Sequence, residues 1–170
     1  MQLHPYRQGG PVSRLMHLHE SDTFRPMNDA PAPETVDAWA RLVRVQQGLL
    51  AAIEAELKAA GFPPLAWYDA LLELVRAPAG RMRPVDLEKA MLLPQYSTSR
   101  LLDRLARAGL AVRQVCPVDR RGQFVAITPA GRDLQRKMWG AYAAAIERHV
   151  GTRLSSEEAG RLCELLGKLT

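Results

Sequence analysis

Three observations predict a mainly α-helical fold that carries one small β element. First, Ala and Leu dominate a chain of 170 residues that is 47% hydrophobic and only 6% aromatic, a composition that favours helices. Second, apolar residues recur at three- and four-residue steps along several stretches, the period of a helix with one buried face. Third, the pattern changes to two short β-type runs, Ala111 to Cys116 and Gln123 to Thr128, on either side of the tight turn Pro117-Val118-Asp119-Arg120-Arg121-Gly122. A helix followed by a hairpin with arginines at its tip is the outline of a winged helix-turn-helix. The expected fold class is therefore mainly α with a small β wing, a winged helix-turn-helix joined to long dimerisation helices.

In chain order, residues 1–32 are broken by Pro5, Pro11, Pro26 and Pro31 and read as an extension, flexible or lying on a partner subunit. Residues 33–62 read as a dimerisation helix. Pro33 suits a first turn, and Val36, Trp39, Val43, Leu50, Ile53 and Leu57 form a stripe expected to face the core, with a gap at Gln46 and a stop at Gly61. Leu42, Val45 and Leu49 widen that apolar surface beyond what one partner helix needs, which points to a second chain.

Residues 63–128 read as the winged core. Pro63-Pro64 opens a helix to about Arg76, with Leu65, Tyr68, Leu72 and Val75 on its inner side. Arg81 to Arg83 suits a single short strand that joins the wing, and Pro84 to Met91 a short helix with Leu87 and Met91 inward. Leu92-Leu93-Pro94 turns into the next helix, the spacing of a helix-turn-helix whose second helix enters the major groove. That second helix starts with Gln95-Tyr96-Ser97-Thr98-Ser99-Arg100, buries Leu101, Leu102 and Leu105, and stops at Gly109, a residue suited to a left-handed cap.

Residues 129–170 read as C-terminal dimerisation helices. Thr128-Pro129 is a cap and first-turn pair. Leu134, Met138, Tyr142, Ile146 and Val150 then mark a helix to about His149. Ser155-Ser156-Glu157-Glu158 is a capping box that opens a last helix with Leu162, Leu165, Leu166 and Leu169 apolar.

Charge concentrates on the second helix and the wing. Residues 94–121 hold six arginines against Asp103 and Asp119, a net of +4 out of +5 for the whole chain. A positive field gathered on one helix and one hairpin attracts phosphates. Gln95 and Arg100 suit bidentate contacts to base edges, Tyr96, Ser97 and Ser99 suit phosphates, and Arg104 suits the backbone. In the wing Asp119 can fix Arg121 for a narrow minor groove, beside Arg120. Asp119 also fits plain turn chemistry.

The segment LLPQYSTSRLLDRLARAGLAVRQVCPVDRRGQFVAITPAGRDL, residues 92–134, resembles the DNA-binding core of the MarR family of bacterial transcription regulators. The likeness rests on a hydroxyl-rich helix start, Leu102-Asp103-Arg104-Leu105, Gly109-Leu110, Asp119-Arg120-Arg121, and Ile127-Thr128-Pro129-Ala130-Gly131, and extends more loosely from about Val36 to the C-terminus. It implies a homodimer on a double-stranded, roughly palindromic DNA operator, with repression as the default and release by a small aromatic or purine-like anion. Trp39, Asp69 and Arg113, with Arg100 as a fourth, resemble the effector residues of the urate-responsive branch of that family. An indole can stack a planar ring and an arginine can hold its negative oxygen. Read without the resemblance, Trp39 is a core residue, Asp69 a helix-surface acid and Arg113 a phosphate contact.

Other functions find less support. Cys116, beside Arg113, Arg120 and Arg121, offers a redox alternative, and a dimeric interaction module without DNA binding is a further one. Cys163 reads as a buried small hydrophobe. No Ser-His-Asp or Cys-His constellation and no Gly-rich phosphate loop is present, so neither an enzyme nor a cofactor is expected. His17 and His19 lack further ligands at fixed spacing, so no metal is expected. With no apolar run of eighteen residues and two cysteines, the chain is expected to be cytoplasmic and to need no membrane.

Overall fold

In the computed structural model, which describes residues 30–92, 98–115 and 123–169, helices stand where the apolar stripes predict them. The chain divides into two units, residues 1–38 and residues 39–170. Within the first, residues 30–38 are exposed and carry the first turns of helix α1, Pro33–Ala59.

In the second unit Gly61 ends α1 with φ of 77°, and helix α2 follows at Leu65–Arg76. A tight turn leads to strand β1, Arg81–Met82, and helix α3, Pro84–Ala90. Helix α4 spans Thr98–Arg107, strands β2 and β3 span Ala111–Val115 and Gln123–Ile127, and helix α5 spans Pro129–Ile146. A wide π turn, Glu147–Gly151, connects to helix α6, Ser156–Leu166. The sheet is antiparallel in the order β1-β3-β2, with Arg81 opposite Ala126 and Val112 opposite Ala126 on the other side. The single short strand at Arg81 thus joins the wing as its pattern predicts.

Two clusters form the interior. Leu71, Leu74, Leu87, Leu101, Leu102, Leu105, Leu110 and Val125 hold α2, α3, α4 and the sheet together. Ile53, Leu57, Leu65, Tyr68, Met138 and Ala145 hold α1, α2 and α5 together. Helix α2 belongs to both, which corrects the expectation of a single inner side. Leu71 and Leu74 are fully buried, whereas Leu72 and Val75 are only half-buried. A helix with neighbours on two sides buries two stripes.

Two further expectations are corrected. Val36 is 49% exposed and Trp39 67% exposed, because the covered part of α1 is its C-terminal half around Ile53 and Leu57. Cys163 is exposed, because α6 buries no residue within the single chain. The helix after the wing does reach past His149 as expected, but beyond Ile146 it changes from α to a π turn. There the backbone widens, and Thr152 N–H reaches the Glu147 carbonyl at 2.8 Å. The wide turn brings both Arg148 and His149 onto Glu56 of α1, at 2.5 and 2.7 Å.

Candidate nucleic-acid interface and adjoining cleft

Helix α4 is amphipathic by sequence and sits that way. Leu101, Leu102 and Leu105 are fully buried, and Ser99, Arg100, Asp103, Arg104 and Arg107 are exposed. Gly109, at φ of 71°, ends the helix in the left-handed region, where a side chain costs energy. Leu110 N–H then bonds back to the Leu105 carbonyl at 2.9 Å, and the chain enters β2. The exposed face therefore presents Ser99, Arg100 and Arg104 together. The remaining DNA-contact candidates, Gln95, Tyr96, Ser97, Asp119, Arg120 and Arg121, lie outside the described residues, as does Cys116.

One cross-link fixes the helix to the wing. Arg113 on β2 donates to the Asp103 carboxylate at 2.7 Å and to the Gln123 amide oxygen on β3 at 3.2 Å. Arg113 is thus engaged by α4 and β3 at once, an arrangement that its spacing alone does not reveal.

A second joint lies behind it. The Thr128 hydroxyl donates to the Gly109 carbonyl at 2.7 Å and accepts from Gly131 N–H at 3.1 Å, capping α5. Gly131 packs so closely that a β-carbon there would stand 2.2 Å from the Leu110 carbonyl oxygen. This explains the glycine at the end of the Ile127-Thr128-Pro129-Ala130-Gly131 segment.

Between α2 and α5 opens a cleft of about 560 Å³. Tyr68, Asp69, Leu72, Glu73 and Arg76 line one side, Gln135, Trp139 and Tyr142 the other, with Ala90 and Leu92 among the remaining lining residues. Its walls are aromatic. Tyr68 stacks with Trp139 at 6.2 Å between ring centroids and meets Tyr142 edge-on at 5.2 Å. Burial pushes both phenols above the usual tyrosine range, so they stay neutral donors at ordinary pH. Glu73 and Arg76 pair at 3.0 Å. Asp69 is only 4% exposed, which corrects its reading as a surface acid. Of the four effector candidates, Asp69 lines this cleft; Trp39, Arg100 and Arg113 are not among its lining residues. Sequence reasoning missed the aromatic trio. Its one sequence signal is Trp139 and Tyr142 three apart on α5, an i,i+3 pair on one face.

Among the described residues no group of three His, Cys, Asp or Glu side chains is placed to hold a metal ion. Among the same residues no helix is long and apolar enough to cross a membrane.

Comparison with known proteins agrees with this geometry. Residues 60–122 match the MarR family. Sco3205 of Streptomyces coelicolor, a MarR family transcriptional regulator solved in complex with DNA, is 26% identical over 84% of this chain and 91% of its own, with a TM-score of 0.74. AbsC, a MarR family transcriptional regulator from the same organism, is 29% identical over 82% of this chain and 94% of its own, with a TM-score of 0.70. BpsR of Bordetella bronchiseptica, whose DNA binding is regulated by 6-hydroxynicotinic acid, is 25% identical over 78% of this chain and 98% of its own, with a TM-score of 0.68. MarR family members are transcription regulators rather than enzymes. Residues 60–122 thus match the MarR family in sequence, and about four fifths of the chain shares the winged-helix fold of MarR family transcriptional regulators.

Proposed function

We propose that the chain acts in the cytoplasm as a homodimeric repressor of a roughly palindromic operator, released by a small planar aromatic or purine-like anion. The observation that carries this reading is the exposed face of α4, where Ser99, Arg100 and Arg104 lie opposite the buried Leu101, Leu102 and Leu105. A helix that commits its apolar side to its own core and its basic side to solvent has the form needed to lie in a major groove. Gln95 and Arg100 read base edges, Tyr96, Ser97, Ser99 and Arg104 hold phosphates, and Asp119, Arg120 and Arg121 carry the wing into the minor groove.

Two-fold pairing is supported by the apolar residues left uncovered. Leu42 and Val45 of α1 and Leu162, Leu165, Leu166 and Leu169 at the C-terminal end are exposed, a quantity of bare leucine unusual for a monomer. We assign dimerisation to residues 33–62 and 129–170, with reading by residues 63–128. Two copies would then address half-sites about one helical turn, roughly 34 Å, apart.

The effector response is assigned to Asp69 and the aromatic cleft it lines, with Trp39, Arg100 and Arg113 as further candidate contacts. Stacked rings suit a planar ligand, and Arg76, next to the cleft's acids, supplies a cation for its negative oxygen. The regulation of BpsR by an aromatic acid points to the same ligand class.

Selection of bound duplexes from a random pool tests the reading, followed by release with urate, salicylate and 6-hydroxynicotinic acid. Enrichment of an inverted repeat and release by at least one compound are expected. Recovery of unenriched DNA would sink the operator, and an enriched operator that no planar acid releases would sink the effector.

A further inference from the structure

The wing sheet carries a cationic cluster that the reading helix does not explain. Arg81 opens β1 and Arg83 follows its end, on the far side of β3 from β2. Both guanidinium groups lie on the ring of Phe124, with the Arg81 carbon 5.2 Å and the Arg83 carbon 5.9 Å from its centroid. A third arginine, Arg132 of α5, lies over Gly80, the residue before Arg81. Among the described residues none of the three forms an ion pair with an acid. The first two side chains are exposed.

The chemistry is specific in one respect. A lone surface arginine is mobile and loses rotamer freedom on gripping an anion. Two guanidiniums held on one ring have already lost much of that freedom, while keeping most N–H donors free. Cation–π contact holds a guanidinium without neutralising it. Such a pair is prepared for two neighbouring anions, and the planar fork of arginine matches a phosphate. Alternating side chains along a strand put Arg81, Arg83 and Phe124 on one face of the sheet, opposite the face that Arg113 presents to α4.

We infer that Arg81 and Arg83, held by Phe124, form a further DNA-backbone contact that grips phosphates flanking the wing, independently of base sequence. The inference rests on the DNA-binding reading above. The arginine pair strengthens binding to any duplex by the same factor and adds to the salt dependence, while sequence preference is set by the reading helix and the wing tip.

The test is fluorescence anisotropy of the intact dimer on its selected operator and on an unrelated duplex, across a potassium chloride series. For Arg81→Gln/Arg83→Gln the slope of log affinity against log salt should shrink by roughly 1.8 per engaged protomer, about 0.9 for each lost phosphate contact. A fourfold rise in salt should then cost the wild type about tenfold more affinity than the variant for each engaged protomer, and on the order of a hundredfold for a dimer with both protomers engaged. The ratio of operator to unrelated binding should stay unchanged. Arg81→Lys/Arg83→Lys should restore most of the slope, and Arg83→Gln alone should lose about half the effect. A slope that the glutamine variants leave unchanged overturns this contact but leaves the operator reading intact. Wild-type protein that binds neither duplex in a salt-dependent way overturns the operator reading as well. A changed operator preference would make the pair a base-reading element and overturn the inference.

Discussion

Asp103 on the exposed face of α4 and Arg113 on β2 form an ion pair at 2.7 Å, and Arg113 also reaches Gln123 on β3. The pair ties the angle of the wing to the angle of the reading helix. Both side chains are well exposed, so the pair itself contributes at most about 1 kcal/mol to stability. Arg113→Ala should leave the melting temperature nearly unchanged and still weaken operator binding. Asp103→Asn should weaken binding too, although it removes a negative charge from the face proposed to meet DNA. Tighter binding by Asp103→Asn would mean that charge outweighs geometry at this joint.

Gly131 admits no side chain. A β-carbon would stand 2.2 Å from a backbone oxygen of Leu110, and backbone cannot swing aside as a flexible side chain can. Gly131→Ala should destabilise the chain by about 1–3 kcal/mol, the usual range for forcing atoms into a packed site. Urea unfolding of the two proteins checks this, and an unchanged midpoint would show that α5 can shift without cost.

These two joints mark how far the sequence could be read. Local chemistry is legible. The Thr128 cap, the Ser155 capping box with Glu158, the Gly109 stop and the leucines of α4 depend on near neighbours in the chain, and all stand as their patterns predict. Contacts between distant residues are not legible. Leu71 and Leu74 are buried because α2 has a second neighbour, and no periodicity within twelve residues announces that. The cleft follows the same rule, since Tyr68 meets Trp139 and Tyr142 only once α2 and α5 pack together. Trp39 shows the converse. Its spacing fits a core stripe, yet among the described residues it stands 67% exposed.

The fastening between α1 and the wide turn after α5 should depend on pH. Glu56 accepts from His149 at 2.7 Å and from Arg148 at 2.5 Å. The hydrogen bond from His149, opposed by partial burial and aided by Arg148, holds its carboxyl below the ordinary glutamate value of 4.5. A carboxylate with a depressed folded value stabilises fully above its unfolded value, and that contribution fades as pH falls through the folded one. The fastening should therefore be intact at neutral pH and weaken below about pH 4.5. Glu56→Gln should flatten the acid limb of the melting-temperature profile, whereas an unchanged limb would assign it to other carboxylates.

The leucines at the C-terminal end should decide the oligomeric state. Leu162 and Leu165 are 43% and 51% exposed on a helix that buries nothing of its own. Replacing both by Asp should halve the mass seen by light scattering and leave the helical circular dichroism of each chain largely unchanged. A dimer that survives the double change would move the interface to α1 alone.

A single oxygen atom, the Thr128 hydroxyl, links the end of α4, the end of the wing and the first turn of α5. Helix α5 also supplies Trp139 and Tyr142 to the aromatic cleft. The long helix is thus a crankshaft with a ligand-sized recess along its side and the reading helix geared to its end. If the recess takes the proposed ligand, any roll of that shaft would pass to the exposed arginines of α4 through this hydroxyl and the close seat of Gly131 on Leu110.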